Sequence, residues 1–389
     1  MKVLISGGGI GGITAALCLA HSGHEVAVFE QAENFAEIGA GIQLSPNCTR
    51  VLHHIGLEDA LRARAFLPNG TQFRSWKSGR VIAETSLGQE AEAQYGSPYY
   101  HMHRGDLLSV LVEAAKKQTN ITLCTGSPIT DYKQDGSYVI AISEDEEFSG
   151  DVLIGADGIH SVIRNKLWGD EKPNFTGNVA WRALVPADQL PEGLIRPMST
   201  AWWGPHKHFV HYYVRSGTLV NCVCVVEKTG WEVESWTTPG DYAELKADFK
   251  GWHRDIQTLI DTANKDSLFK WALFDRPPMA QWSKGRVTLL GDACHPTLPF
   301  MAQGAAMAIE DGAVLAACLN KSDNVEENLQ TYEDLRKKRT AGIQNGSRRN
   351  ARVFHLRGVA AWLRNRAASK ARGRVMEDLF SYNALTAAD

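Results

Sequence analysis

The opening stretch MKVLISGGGIGGITAALCLAHSGHEVAVFE leaves the chain few folds to choose from. Val3 to Ser6 read as a short buried strand, Ile13 to Ala20 as a helix of small apolar residues, and Val26 to Phe29 as a second strand ending at Glu30. Between the first strand and the helix, Gly7, Gly9 and Gly12 fill the pattern G-x-G-x-x-G. That spacing suits a tight turn, a backbone that can approach a pyrophosphate, and a helix packed close on its strand. The helix start adds unpaired N–H groups and a partial positive charge, both favourable to phosphate. Glu30, eighteen residues beyond Gly12, stands where an acid can take ribose hydroxyls and repel a 2′-phosphate. Such a βαβ unit binds FAD or NAD, and the fingerprint by itself leaves the two open.

The rest of the chain must be compatible with that start. A length of 389 residues exceeds one compact core and predicts two domains, interleaved. With 44% apolar residues and a formal charge of -3, neither a disordered chain nor a nucleic-acid binder is expected. The seven cysteines are scattered; the nearest pair, Cys222 and Cys224, lies in a strand-like run. No CxxC and no zinc-like His/Cys spacing occurs, so reduced thiols and no metal are expected. No signal-like segment or membrane-length apolar run is present, which predicts a cytoplasmic enzyme without a membrane partner.

Two later stretches repeat the strand-then-glycine logic. DVLIGADGIHSVIR (Asp151 to Arg164) runs as a buried strand into Asp157-Gly158, then a helix opened by Ser161. LLGDACHPTLPFMAQGAAMAIED (Leu289 to Asp311) runs as a strand into Gly291-Asp292, past His295 and two prolines, into a helix that starts almost bare of side chains. Both would deliver an aspartate to the edge where open α/β sheets bind ligands. On the residues alone, Asp157 also fits a helix cap or turn acid. Asp292 with His295 fits a metal site, an acid–imidazole pair or a surface for a large flat ligand.

In this order the three segments resemble the single-component (class A) FAD-dependent aromatic hydroxylases, the para-hydroxybenzoate hydroxylase-like family. The resemblance rests on the N-terminal G-x-G-x-x-G and on a mid-chain motif matched by Asp157, Gly158, Ser161 and Arg164. It rests further on a late motif matched by Gly291, Asp292, His295, Pro296, Pro299, Gln303 and Gly304, where Ala302 replaces the first glycine of Gly-Gln-Gly. HRGDL (His103 to Leu107) is similar to the family's Arg-x-x-Leu helix start. The resemblance covers nearly the whole chain and implies FAD. It implies Gly7, Gly9 and Gly12 at the ADP half, Glu30 on the adenosine ribose and Arg104 on the flavin side. Asp157 is implied near the pyrophosphate and the nicotinamide path, Asp292 on the ribityl chain, and backbone N–H groups around Gly304 and Ala305 on the flavin ring. His295 is then a turn residue beside FAD. No second G-x-G-x-x-G occurs, which fits a family in which NADH or NADPH is a transient co-substrate.

Residues 173–274 gather Trp and Tyr and alternate with period two. KHFVHYYVRSGTLVNCVCVVE predicts a hairpin: a strand near Lys207 to Val214, a turn at Arg215-Ser216-Gly217 and a return strand to Glu227. Alternation puts His208, Val210, Tyr212 and Val214 on one face, and Phe209, His211 and Tyr213 on the other. From spacing alone, either histidine also fits a half-buried sheet residue without chemistry. WWGPHKHFVHYY is similar to the corresponding strand of hydroxylases acting on 6-hydroxynicotinate and 3-hydroxybenzoate. That similarity implies His208 as the base for a phenol proton, a task suited to a neutral imidazole, with Tyr212 as an orienting partner. It also implies Gln43, Ser199, Pro299 and Phe300 at the substrate. The nicotinate enzymes have His, Cys and His in place of Gln43, Ser199 and Phe300, and the hydroxybenzoate enzymes have Gln and Tyr in place of Pro299 and Phe300. The pocket expected here is therefore the more apolar. Arg182 fits a partner for the substrate carboxylate and equally a structural or flavin-side role. Salicylate hydroxylases share AWRAL, GDACHP and RNARVFHL with this chain, though some carry a catalytic His where it has Phe300.

The expected architecture is α/β: a Rossmann-like FAD-binding domain (1–75, 100–172 and 275–345) interleaved with a β-sheet substrate domain (76–99 and 173–274), plus C-terminal helices (346–389). From Arg348 onward the chain holds nine Arg/Lys against three acids. It reads as amphipathic helices forming a cap or homodimer contact, or as a funnel for anionic ligands. The implied activity is an NAD(P)H- and O2-consuming monooxygenase of a small phenolic acid. Salicylate, hydroxylated with loss of CO2 to catechol, is the substrate expected, with 3-hydroxybenzoate and 6-hydroxynicotinate as alternatives. A non-oxygenating FAD-dependent reductase is the reading from a different class.

Overall fold

The computed structural model describes residues 1–35, 40–144, 146–228, 230–231, 233, 238–370 and 374–389. The opening βαβ unit forms the centre of a five-stranded parallel sheet in the order Val287–Leu289, Val152–Gly155, Lys2–Ser6, Glu25–Phe29, Ile121–Cys124. Val3, Leu4 and Ile5 are wholly buried, as strands covered on both faces require. The helix Ile10–His21 is apolar nearly all round because it is packed between this sheet and the helix Gly304–Leu319. The chain leaves Lys2–Ser6 on one side for Glu25–Phe29 and returns on the other as Val152–Gly155. The crevice at the carboxyl ends of these strands is therefore a topological switch point, where such sheets bind ligands.

A second, seven-stranded sheet runs in the order Phe269–Asp275, Asn174–Pro186, Leu219–Glu227, Lys207–Val214, Met198–Gly204, Gly70–Ser75, Val81–Ser86. All neighbours are antiparallel except Met198–Gly204 with Gly70–Ser75. The hairpin read from the sequence is present, with a turn at Arg215–Gly217. One face of the sheet is sealed by the helices Tyr242–Asp248 and Arg254–Thr262, where Trp181, Trp202, Phe209, Leu245, Phe249 and Ile256 share an apolar cluster. The opposite face shares a cavity with the strand ends of the parallel sheet.

Two expected divisions do not coincide with element boundaries. The strand Gly70–Ser75 lies in the seven-stranded sheet, ahead of the division at 75/76, because its backbone pairs with Met198–Gly204. The helix Val325–Phe354 runs unbroken across 345/346, buried along Leu329, Tyr332, Arg336 and Ile343. Among the described residues, no helix is long and apolar enough to cross a membrane.

Candidate active site

The cavity between the two sheets has a volume of about 360 Å³. On the parallel-sheet side its wall is mostly backbone, from Gly9–Gly11, Ala156, Gly158 and Leu290–Asp292. Gly7 and Gly12 shape this wall without lining it: a Cβ on Gly12 would fall 2.0 Å from the Gly7 carbonyl oxygen, and Gly7 itself sits at φ +108°. Gly9 differs, with φ −73° and ψ −176° and nothing within 4 Å of where a Cβ would stand. The helix Ile10–His21 begins here with no side-chain cap and no acid in its first turn, and so does Gly304–Leu319, whose Gly304 and Ala305 line the same cavity. Two uncapped helix starts offer backbone N–H donors and partial positive charge to one guest. A dinucleotide with a pyrophosphate and a carbonyl-edged ring, as in FAD, fits that donor set.

The other expected cofactor residues divide. Arg104 lines the cavity from the start of the helix Arg104–Ala115, and Asp292 lines it from the loop after Val287–Leu289. Glu30 braces the glycine turn: its Oε2 accepts from the Gly8 N–H at 2.8 Å and its Oε1 from the Ala32 N–H at 2.9 Å. Asp157, expected near the pyrophosphate and the nicotinamide path, stands between Ala156 and Gly158 of the cavity wall and uses one carboxylate oxygen locally. Its Oδ2 accepts from the N–H groups of Val162 and Ile163 at 2.8 and 3.2 Å, so the carboxylate caps the helix Val162–Trp168, whose first donors need partners. Burial raises its pKa. Ser161 adds a second cap to the Arg164 N–H, and the Arg164 guanidinium donates to Ile159 O and Ala293 O, tying this loop to the one carrying Asp292.

His295 is buried and pairs at 2.6 Å with Asp311. Asp311 also accepts from Arg336 Nε at 2.7 Å and the Gly291 N–H at 3.1 Å. Glu310 beside it accepts from Arg336, Arg339 and Asn47. Burial alone would raise the Asp311 carboxyl, but His295 and then Arg336 outweigh it and hold it at about 2. This cluster fastens the helix Gly304–Leu319 to the helix Val325–Phe354. Asn47, Arg336 and Arg339 carried no signal in the sequence; Glu310-Asp311, two acids inside an apolar helix, was the only local hint.

On the substrate side, His208, Val210 and Tyr212 line the cavity, joined by Val223, Arg182 and Trp271 from the neighbouring strands. His211 faces the other way and accepts from Trp202 Nε1 at 3.0 Å. His208 uses Nδ1 on His355 Nε2 at 2.8 Å, and burial, then the neighbouring His355, lowers its pKa well below the ordinary value. The side chain that holds the His208 ring is thus His355, while Tyr212, four residues along the strand and about 13 Å away between backbones, lines the same cavity. Tyr212 packs its ring on His101 at 4.6 Å, and burial raises its pKa. Gln43 lines the cavity and is held by Tyr99 OH at 2.6 Å and Ser199 Oγ at 3.0 Å. Ser199 and Phe300, expected at the substrate, stand one layer back: Ser199 behind Gln43, and Phe300 against the His208 ring at 5.1 Å. Pro299 does line the cavity, and the Arg182 guanidinium lies 4.2 Å over the Trp271 ring.

A dinucleotide cradle opening onto a buried histidine wall is the layout of a flavoprotein oxidoreductase. Residues 1–347 match the family described as an FAD binding domain, and the chain belongs to it. It is 40% identical to the 3-amino-4-hydroxybenzoate 2-monooxygenase PtnB3 of Streptomyces platensis over 91% of this chain and 89% of that protein. It is 38% identical to the 6-hydroxynicotinate 3-monooxygenase of Pseudomonas fluorescens, over 90% and 91%, and 37% identical to the 3-hydroxybenzoate 6-hydroxylase of Polaromonas naphthalenivorans, over 94% and 91%. Among solved structures, Klebsiella pneumoniae HpxO complexed with FAD and uric acid superposes with a TM-score of 0.87 at 26% identity, covering 99% of this chain and 97% of that one. A salicylate hydroxylase substrate complex does so with 0.83 at 25% identity, covering 100% and 97%. The chain is an FAD-dependent aromatic monooxygenase that uses NADH or NADPH as co-substrate.

Proposed function

We propose that the chain hydroxylates a small aromatic acid bearing a phenolic hydroxyl, with His208 as the base and Arg182 as the carboxylate partner. The observation that carries this reading is His208: it lines the cavity and spends Nδ1 on His355, which leaves Nε2 for a guest. FAD, when bound and reduced by NAD(P)H, supplies with O2 an electrophilic oxygen. His208 Nε2 takes the hydroxyl proton, and the resulting phenolate ring is a far better nucleophile than the phenol. Val210, Val223 and Pro299 hold the ring in an apolar, water-poor space. In the cradle, Gly9 and the helix start behind it receive the pyrophosphate, Glu30 the adenosine ribose, Asp292 the ribityl chain and Arg104 the flavin side. Gly304 and Ala305 offer their N–H groups to the flavin ring.

Spacing favours one arrangement of the substrate. His208 pairs with Val225, and Arg182 with Val223, so the two lie two strands and two residues apart, about 12 Å between backbones. Arg182 leans further away, over Trp271 on the outer strand. A ring bridging them carries hydroxyl and carboxylate meta or para. Salicylate, with the two groups adjacent, is the second reading, favoured by the likeness to the salicylate hydroxylase complex; there, attack at the carboxyl-bearing carbon releases CO2 and yields catechol. The test follows NADH and NADPH oxidation with product analysis on 3-hydroxybenzoate, 3-amino-4-hydroxybenzoate, 6-hydroxynicotinate and salicylate. Coupled hydroxylation of a meta or para acid is expected, and no stimulation by any of the four overturns the proposal. His208→Gln should lower hydroxylation roughly a hundredfold with FAD still bound; loss of FAD would mean a structural residue.

A further inference from the structure

His208 is not the end of its hydrogen-bond chain. Beyond the 2.8 Å contact with His355 Nε2, His355 Nδ1 lies 2.9 Å from Glu227 Oε1, and Glu227 Oε2 lies 2.6 Å from His206 Nδ1. His208 and His355 are 3% and 4% exposed, whereas the side chains of Glu227 and His206 are 42% and 50% exposed. The row therefore begins at the cavity wall and ends in water, in a surface hollow that His206 and Glu227 line. The main chain locks it. The His206 N–H donates to His355 O at 3.1 Å, and the Glu227 N–H donates to His206 O at 2.9 Å. His206 is held at φ +61°, a region a non-glycine residue keeps only where its surroundings impose it.

The carboxylate at the outer end sets every tautomer inward. Glu227 can only accept, so His355 carries its proton on Nδ1 and presents a lone pair at Nε2. His208 must then donate from Nδ1, which leaves the lone pair of its Nε2 for the cavity. An exposed acid thus fixes a buried imidazole in the form a base requires.

We propose that His355 and Glu227 relay the hydroxyl proton of the bound aromatic acid from His208 to solvent. The proposal rests on the reading of His208 as the base. The phenolic O–H breaks, its electron pair stays on oxygen, and the proton goes to His208 Nε2. His208 Nδ1–H passes to His355 Nε2, His355 Nδ1–H passes to Glu227 Oε1, and Glu227 yields its proton to water or His206. One proton leaves, no electron moves, and return of a proton to the product oxygen resets both rings. Such a relay answers a difficulty in the site. Burial lowers the pKa of both rings, with the titratable and charged groups facing His355 being Glu227, His206 and Arg364. An imidazole that cannot keep a proton can still hand one on.

The test uses the FAD-loaded protein and 3-hydroxy-4-nitrobenzoate, whose phenolate absorbs in the visible. Rapid mixing in weak buffer follows the phenolate band together with proton release to an indicator dye, and flavin fluorescence gives the affinity. In Glu227→Gln and in His355→Gln both signals should slow roughly tenfold or more at unchanged affinity. Added imidazole should restore the rate in Glu227→Gln, whose change lies at the exposed end, and Glu227→Asp, which keeps an ionisable carboxylate, should lose less of the rate than Glu227→Gln. Unchanged rates in both variants, with the band still abolished by His208→Gln, overturn the relay and leave His208 as the base. A band that survives His208→Gln overturns the base and the relay with it.

Discussion

Lowering the pH from 8 to 5 should destabilise the folded protein by about 4 kcal/mol through two histidines outside the proposed chemistry. His101 and His211 are 0% and 3% exposed, and burial holds each ring at about 3, with Arg74 adding to the effect on His211. In the unfolded chain both rings titrate near about 6.5. The unfolded chain then binds protons that the fold refuses, so this stability is complete above about pH 6.5 and falls as the pH drops towards about 3. At about 1.4 kcal/mol per unit, each ring forfeits roughly 2 kcal/mol at pH 5, against a usual total of about 5–15 kcal/mol. His208 and His355 add in the same direction. His211 shows why charge is refused: Trp202 Nε1 donates to its Nε2, a bond that needs the neutral ring's lone pair, and Arg74 sits 4.5 Å over the same indole. Urea unfolding of the FAD-loaded protein, followed by tryptophan fluorescence at pH 8, 6.5 and 5, measures the loss. His211→Gln, whose amide oxygen can keep the Trp202 bond, should remove about 2 kcal/mol of the pH-dependent drop. A drop as large in the variant as in the unaltered protein refutes the reasoning.

Gly9→Ala should fold normally, because its backbone suits alanine and a Cβ meets no protein atom. The methyl would project where a pyrophosphate approaches, so FAD affinity by flavin fluorescence should fall tenfold or so, about 1.4 kcal/mol; unchanged affinity would place the phosphates elsewhere. Ala302→Gly should stabilise the protein by about 1 kcal/mol, since Ala302 sits at φ +52°; a lower urea midpoint would contradict this. Arg336→Leu strips a partner from Glu310 and Asp311 in a wholly buried cluster and should destabilise by roughly 3–5 kcal/mol. A loss under about 1 kcal/mol would mean that His295 and Arg339 suffice.

The nucleotide half of the fold was legible because its signals are local. Gly7 and Gly12 are required by atoms within a few residues or on the adjacent strand, and strand, turn and helix follow one another without interruption. The Lys207–Val214 hairpin was legible for the same reason: a period of two forces His208 and Tyr212 onto one face whatever lies opposite. Asp157 was legible only as a pair of options, since a strand-end acid can serve a ligand or a helix start equally well. In the structure one of its carboxylate oxygens accepts from the N–H groups of Val162 and Ile163, a helix-cap role that spacing alone does not separate from a ligand role.

Sequence therefore determined the βαβ start, the sheet alternation and the pairing of His208 with Tyr212 on one face. Tertiary structure alone decided that this face meets the cavity while His211 meets Trp202, because the choice depends on which face the helices Tyr242–Asp248 and Arg254–Thr262 cover. It alone joined Asn47, Glu310, Asp311 and Arg336 into one buried cluster. It alone set His355 between His208 and Glu227, across separations of 147 and 128 residues. Periodicity records what a residue's near neighbours require; a contact closed over a hundred residues leaves no mark on spacing, and here such contacts fix which ring nitrogen of His208 is engaged by His355.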